Sequence, residues 1–363
     1  MKNEDNLKIT KVIAIVPSFN PTETTVTYVE ELFGQGFEKI IVVDDGSRDD
    51  SKHYFDVLRQ NPRCVVLTHA VNFGKGRALK TAFNYFLNHF SKEEAVGVVT
   101  ADADGQHSAK DTAKVALRLL EEPDHLILGT RDFNEEIVPF KSRNGNKITT
   151  TVFSMLYSKK INDTQTGLRG IPYEFVKKCI TLSGERFEYE INMLIVSVRE
   201  KVEITEERIE TIYFESNRET HFDTVRDSAK IYALMFKSFL KFMMAGMVSF
   251  LIDIGIFAFL TKVVFSSMVV RTSVLLGTVI ARIISSLFNF KVNKDGVFKS
   301  SGLTGPTMLR YYALVAAQML VSWLLVIFLF DATKGDTTFI KIIVDFLLFF
   351  VSFQVQRRWV FAD

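Results

Sequence analysis

The chain predicts two fold classes in succession: an α/β domain built on a mostly parallel sheet, then an all-α domain of four membrane-spanning helices. Three observations carry this. Short β-branched runs alternate with amphipathic stretches over residues 12–128. Charge is concentrated in the first part, whereas long apolar runs and much of the content of 33 phenylalanines lie beyond residue 236. Ligand-type side chains also gather directly after each strand-like run.

Taken in order, the runs at 12–16, 39–43, 64–68, 95–99 and 125–128 are short and apolar, as strands buried on both faces are. Between them, 23–33, 51–60, 76–90 and 109–120 carry apolar residues at three-and-four spacing, which places those residues on one helical face. In the resulting parallel sheet, ligands sit beyond the carboxyl ends of the strands. Those ends read Pro17-Ser18-Phe19-Asn20, Asp44-Asp45-Gly46-Ser47, His69 with Asn72, Asp102-Ala103-Asp104, and Thr130-Arg131. Turn chemistry accounts for any one of them. Five in succession point to one shared site.

Within Thr100-Ala101-Asp102-Ala103-Asp104-Gly105-Gln106-His107, two carboxylates and an amide occupy alternating positions. In extended backbone alternate side chains point the same way, so Asp102, Asp104 and Gln106 can converge on a hard cation such as Mg²⁺ or Mn²⁺. The formal net charge of +2 argues against nucleic acid as a partner. Cys64 and Cys179, the only cysteines, sit in apolar surroundings and read as reduced core thiols. Residues 1–11 are polar and carry no signal-peptide core, which places the first domain on the cytosolic side.

Four apolar segments follow, at about 236–260, 268–290, 309–330 and 339–361. At 1.5 Å per residue, roughly 20 residues cross a hydrocarbon layer of about 30 Å, so each is long enough to span. Lys291, Lys294, Lys299 and Arg310 cluster between the second and third segments, against Lys262 and Lys334 in the other two loops. With Lys237, Lys241, Arg357 and Arg358 in agreement, the richer side and both termini are expected in the cytosol. Asp253, Arg282 and Asp345, with Gln318 and Gln354 beside them, lie within the apolar segments. A charge at mid-bilayer costs about 2.5–3.5 kcal/mol on insertion scales, so each needs a partner or a wet path. Two readings stay open: an ion pair of Arg282 with Asp253 or Asp345, or a passage for a charged lipid headgroup. Residues 222–236 alternate Val225, Ile231, Leu234 and Met235 with Arg226 and Lys230, as an interfacial amphipathic helix or a plain linker helix would.

The motifs Ile15-Val16-Pro17-Ser18-Phe19-Asn20, Val42-Val43-Asp44-Asp45-Gly46-Ser47, Asn72-Phe73-Gly74-Lys75-Gly76-Arg77-Ala78-Leu79 and Asp102-Ala103-Asp104-Gly105-Gln106-His107 resemble a family 2 glycosyltransferase of the GT-A fold over residues 10–222. Within it the likeness is to polyprenyl-phosphate sugar synthases of the dolichyl-phosphate mannose synthase type. One departure is Pro21, where the family continues with Glu after Asn. The resemblance implies a metal on Asp102, Asp104 and Gln106, and a donor pocket of Pro17, Ser18, Phe19, Asn20, Val43, Asp44, Asp45, Lys75, Asp102, Ala103 and Asp104. It also implies an acceptor phosphate met by Arg131, joined by Arg143, Arg169, Arg218 and His221, with Asp104 and Arg131 catalytic. Lys241-Phe242, Gly246, Asp253, Ser286-Leu287-Phe288-Asn289-Phe290, Asn293-Lys294 and Val297-Phe298 resemble the GtrA-like four-helix membrane family over residues 237–361.

The domains expected are therefore a cytosolic glycosyltransferase over 1–221, the linker helix over 222–236 and the membrane domain over 237–363. The implied activity is metal-dependent, inverting transfer of a hexose from a nucleotide sugar to a polyprenyl (undecaprenyl) phosphate for cell-envelope glycosylation, on the cytosolic face of a bacterial cell membrane. UDP-glucose or UDP-N-acetylglucosamine is the favoured donor and GDP-mannose the alternative. A phosphate monoester, with a second pKa near about 6, needs no general base. The membrane domain is expected to anchor the enzyme and assist flipping of the lipid-linked sugar, and a homo-oligomer is compatible with this reading. Competing readings are a flippase or scaffold with a degenerate transferase half, and a processive polysaccharide synthase. The latter needs a Gln-x-x-Arg-Trp motif, which the string from Gln354 to Trp359 does not match in spacing.

Overall fold

The computed structural model describes residues 9–103, 105–133, 135, 138, 140–210 and 226–362. The chain divides into two compact units, Met1–Met235 and Phe236–Asp363.

The first unit is built on a seven-stranded sheet of order β3-β2-β1-β4-β6-β5-β7, with strands β1 (Val12–Ser18), β2 (Ile40–Asp44), β3 (Cys64–Thr68), β4 (Gly97–Thr100), β5 (Leu126–Thr130), β6 (Arg169–Pro172) and β7 (Ile204–Arg208). β6 runs antiparallel to β4 and β5, and the other pairings are parallel. Helices α1 (Glu23–Gly34), α2 (Lys52–Arg59), α3 (Lys75–His89) and α4 (Ala109–Glu121) connect the first five strands, followed by α5 (Phe140–Tyr157), α6 (Tyr173–Cys179) and α7 (Glu188–Arg199). The five expected strands and four expected helices are present, with ends shifted by up to a few residues. β6 and β7 are additional. β6 starts on a charged residue and contains glycine and proline, and β7 reads Ile-Thr-Glu-Glu-Arg, so neither shows the apolar run of an inner strand. β6 is stitched between neighbours that supply its apolar surroundings; β7 is an edge strand, half-buried over its first four residues.

β1, β2, β4 and β5 are wholly buried, and Val12, Val16, Leu32, Phe37, Val42, Phe55, Val99, Leu119 and Ile127 fill the core on the α1 and α4 side. Burying side chains of this size contributes about 1.5–3 kcal/mol each. Cys64 and Cys179 are free and buried, and burial pushes the Cys64 thiol up to about 11.

α4 starts on a reciprocal cap. The Ser108 hydroxyl accepts from the Asp111 N–H at 3.0 Å and donates to the Asp111 carboxylate at 2.8 Å. Lys114 at 2.6 Å and the Glu210 N–H at 3.2 Å also bind that carboxylate. Burial opposes its ionisation, but these partners outweigh burial and hold it below its ordinary 3.8. A depressed carboxylate contributes stability above its unfolded value that is lost as pH falls through its lower folded value. Hydrogen exchange along α4 should therefore accelerate as pH drops below about 3.8, after correction for intrinsic rates, and less steeply in Asp111→Asn. Identical acid profiles for the two proteins would refute this role.

The second unit consists of four long apolar helices. α8 is continuous over Arg226–Phe259, and its residues 226–235 belong to the first unit, so the described part of the expected linker is the beginning of this helix. α9 (Val270–Val292), α10 (Thr304–Thr333) and α11 (Thr337–Val355) follow. π-helical turns at Leu260–Val264, Asn293–Phe298 and Gln356–Val360 close α8, α9 and α11. Each helix with its closing turn is long and apolar enough to cross a membrane. Phe250, Leu275, Phe328 and Phe346 are more than half exposed, the surface that hydrocarbon would cover. Inside, Phe239, Phe242, Phe298, Phe349 and Phe353 pack ring against ring.

Candidate active site

Strand register brings the predicted site residues together. Ser18 at the end of β1 lies opposite Asp44 at the end of β2, which lies opposite Thr68 of β3; Thr100 of β4 lies opposite Ile15. The carboxyl ends of these neighbouring strands thus form one rim, with Asp102 two residues beyond β4.

The Asp44-Asp45 pair is largely occupied in building that rim. Asp44 Oδ1 accepts from the Ser47 N–H at 2.8 Å, and the Ser47 hydroxyl accepts from the Asn20 N–H at 2.8 Å. Asn20 has φ +52°, a left-handed conformation that asparagine tolerates, and its Oδ1 accepts from the Arg48 N–H at 3.0 Å. Asp45, only 3% exposed, accepts from His69 Nδ1 at 2.7 Å, the Phe73 N–H at 3.0 Å and the Gly74 N–H at 2.7 Å. It fixes the turn into α3. Pro17 and Val43 are buried and Phe19 is half-buried, so they form wall rather than rim. The Ala103 carbonyl accepts from the Thr25 hydroxyl of α1 at 3.2 Å.

Lys75 opens α3, and its Nζ lies 2.6 Å from Asp102 Oδ1 and 2.9 Å from Glu190 Oε1 of α7. Gly74 and Gly76 permit close approach by the chain's own residues. A Cβ at Gly74 would come 2.6 Å from Arg186 Cγ, and one at Gly76 would come 2.6 Å from Tyr189 Cβ. Lys80 bonds Glu185 at 2.7 Å, locking α3 against the start of α7 and fixing Lys75 against Glu190. Burial disfavours both charges of the Lys75–Asp102 pair, but their mutual attraction outweighs it: the Asp102 carboxyl is held well below the usual carboxylate range and the Lys75 amine well above its usual value. His107 Nε2 lies 3.6 Å from Asp102 Oδ2.

The arginines are less open than expected. Arg131 spends Nε on Asp163 Oδ2 at 2.8 Å and one Nη on Oδ1 at 3.3 Å, a bidentate pair with a wholly buried aspartate. Arg169, expected at the acceptor phosphate, is 1% exposed, donating to the Thr166 carbonyl at 2.9 Å and the Glu190 carbonyl at 2.6 Å. It lies in a central strand, beneath the rim, because it pairs with Thr100 of β4 on one side and Leu128 of β5 on the other. Arg143 donates to the Glu135 carbonyl at 2.9 Å. Asp104, Arg218 and His221 lie outside the described residues.

Asp163 and Gly167, in a stretch that resembles the family's loop on the sugar and acceptor side of the pocket, and Glu190, in the helix that follows, join the site without an individual role assigned from sequence. Glu190 meets Lys75 from 115 positions away, beyond any local pattern. The reason for glycine at 167 is steric: a Cβ there would run into Asp102 Oδ2 and come 2.7 Å from Lys75 Nζ.

The residues present fit a hard cation and a phosphate-bearing ligand. The acidic run offers oxygen donors, with Asp102 ionised, although no cluster of three His, Cys, Asp or Glu is arranged for a metal among the described residues. Ser18 Oγ, both ring nitrogens of His107, Thr164 Oγ1 and Arg169 Nη2 are buried with no hydrogen-bond partner among the described residues. Buried polar groups ordinarily have partners, so a polar ligand is the natural complement.

In the second unit, Arg282 pairs with Asp253 at 3.4 Å, and Asp253 also accepts from the Ser285 hydroxyl at 2.9 Å. Of the two ion pairs considered, this is the one formed. Asp345 instead binds Ser322 at 2.6 Å and Lys341 at 2.8 Å. Between these acids runs a polar ladder: Asn289 on Ser249, Asn293 on Asn289 and Gln356, Gln356 on Ser352, and Ser352 on Gln318.

Two family models match this architecture: glycosyl transferase family 2 over residues 13–178, and the GtrA/DPMS transmembrane domain over residues 241–361. An uncharacterized protein of Methanocaldococcus jannaschii is 32% identical over 56% of this chain and 83% of its own length. The UDP-N-acetylglucosamine–dolichyl-phosphate N-acetylglucosaminyltransferase of Methanococcus voltae is 28% identical over 56% of this chain and 86% of its own length. The dolichyl-phosphate β-glucosyltransferase of Saccharomyces cerevisiae is 23% identical over 53% of this chain and 64% of its own length. The chain belongs to glycosyl transferase family 2, as a member fused to a GtrA/DPMS-type transmembrane domain. It is a glycosyltransferase and a membrane protein with dolichyl-phosphate sugar transferases among its relatives.

Proposed function

We propose that the protein transfers a hexose from a nucleotide sugar, UDP-linked in preference to GDP-linked, onto a polyprenyl phosphate of undecaprenyl type, with inversion. The observation that carries this reading is the Asp102 carboxylate two residues beyond β4, held by Lys75 and with His107 Nε2 3.6 Å away and without a hydrogen-bond partner among the described residues, in a chain that also carries four membrane-length helices. The names of the two characterised relatives support a lipid-phosphate acceptor, and they differ in the sugar they specify.

Asp102, Asp104 and Gln106 would hold Mg²⁺ or Mn²⁺, which supplies charge neutralisation on the leaving diphosphate. Asp44 keeps one carboxylate oxygen beyond its bond to Ser47 for the ribose or base, while Asp45 and Asn20 hold the walls of the donor pocket. Arg131, oriented by Asp163, would meet a phosphate, a task suited to its planar fork. Arg218 and His221 would add to the acceptor side. No side chain is assigned as a general base, because the acceptor oxygen is already ionised near neutral pH, its second pKa being about 6. Catalysis is then alignment plus electrostatics. The catalytic domain, over residues 1–221, and both termini would lie in the cytosol of a bacterial cell, where nucleotide sugars are made.

The test is to incubate the purified protein with labelled UDP-glucose, UDP-N-acetylglucosamine and GDP-mannose, undecaprenyl phosphate and Mn²⁺, and to follow label into the organic phase. Label must partition there with one UDP-sugar; release of free sugar alone would favour hydrolysis and overturn the reading. The membrane domain would anchor the enzyme and assist passage of the lipid-linked sugar, a role supported by the Asp253–Arg282 pair and its polar ladder. Asp253→Asn should then leave synthesis in detergent intact and slow delivery of product across vesicles. Equal losses in both assays would assign the pair to structure alone.

A further inference from the structure

We infer that Lys75 is a resident counter-cation of the metal-binding carboxylate, displaced only when metal and nucleoside diphosphate arrive together, so that bare metal binds weakly. The inference rests on the metal assignment of the proposed function and adds an order of binding to it.

The geometry is specific. Lys75 Nζ sits on Asp102 Oδ1 at 2.6 Å, with 16% of the lysine side chain and 26% of the aspartate side chain exposed. An ammonium held this closely competes with a cation for the same oxygens and repels it. Gly167 closes over the pair, since any side chain there would strike Asp102 and Lys75. Glu190, its side chain 9% exposed, gives Lys75 a second anchor at 2.9 Å, so the lysine can release Asp102 without being left unpaired.

The charges point the same way. Lys75, Arg131 and Arg169 face Asp102, Asp163 and Glu190, so the charge on Asp102 is already paired before any ligand binds. A metal that brings a diphosphate carries its own countercharge, and the freed ammonium gains phosphate oxygens as new partners. Linkage makes the effect reciprocal: the factor by which the nucleotide tightens metal binding is the factor by which metal tightens nucleotide binding.

The test is a titration of the solubilised full-length protein with Mn²⁺, reading free ion by electron paramagnetic resonance, with and without UDP. In the wild type, UDP should tighten Mn²⁺ binding by about tenfold or more, within the usual range of site-to-site coupling. Lys75→Met should bind bare Mn²⁺ about tenfold tighter than wild type and lose most of the UDP effect. Glu190→Gln keeps the lysine on Asp102 and should not tighten bare Mn²⁺, which separates loss of the counter-cation from general loosening of the pocket. Equal Mn²⁺ affinity in wild type with and without UDP overturns the inference whether or not the variants fold, and so does a Lys75→Met protein that binds bare Mn²⁺ no more tightly. Absence of Mn²⁺ binding to wild type even with UDP would refute the metal assignment and the inference with it. Transfer shown to be metal-independent would leave the lipid-phosphate reading standing alone.

Discussion

Asp102→Asn is expected to lower sugar transfer by about 10²–10³-fold, the usual cost of removing one electrostatic stabiliser of a developing charge, while the protein stays folded in detergent. The substitution keeps shape and polarity but removes the charge that pairs with Lys75 and that the proposed metal would share. Lys75 would retain Glu190, so its ammonium is not abandoned in the interior. Asp104→Ala should remove nearly all transfer. Initial rates with saturating donor and lipid phosphate measure both. Wild-type turnover of Asp104→Ala in Mn²⁺ would contradict the assignment of this residue to the metal.

The second large effect is structural. Asp163 is wholly buried and binds the Arg131 guanidinium through both oxygens while accepting the Gln165 N–H at 3.0 Å. Asp163→Ala removes the carboxylate from a largely buried ion pair, and breaking a buried pair from one side costs about 3–5 kcal/mol. The loss should appear as accelerated hydrogen exchange in β5, which leads directly into Arg131, with Asp163→Asn milder because it still accepts a hydrogen bond. Unchanged exchange in β5 would show that the pair contributes little and that Arg131 is held by other contacts.

Much of the catalytic fold was legible in the sequence because its inner strands are buried on both faces and so appear as unbroken apolar runs. Val12–Ser18 and Ile40–Asp44 are of this kind. β6 and β7 escaped the same reasoning for opposite causes. Arg169 enters a central strand only because Glu190 and Thr166 supply carbonyl partners from elsewhere in the chain, and Ile204–Arg208 is a charged edge. At the candidate site, the run from Asp102 to His107 stands out in the sequence because alternation is a local pattern. What each group does there was less legible. Asp45 reads as a ligand contact in sequence, yet three hydrogen bonds commit it to the turn before α3. Lys75 reads as a lysine near a phosphate, yet its partners are two carboxylates brought in by β4 and α7. The four apolar helices were evident from length and composition, whereas the choice of Asp253 over Asp345 as the partner of Arg282 depended on packing.

The central claim is that the carboxylates beyond β4 seat a cation against the donor diphosphate. The most direct measurement is paramagnetic broadening of the ³¹P resonances of UDP by Mn²⁺ in the presence of the protein. Protein-dependent broadening of both phosphorus signals in the wild type, reduced in Asp102→Asn and abolished in Asp104→Ala, is the predicted result. Broadening that persists unchanged in both variants would place the metal elsewhere and contradict the account.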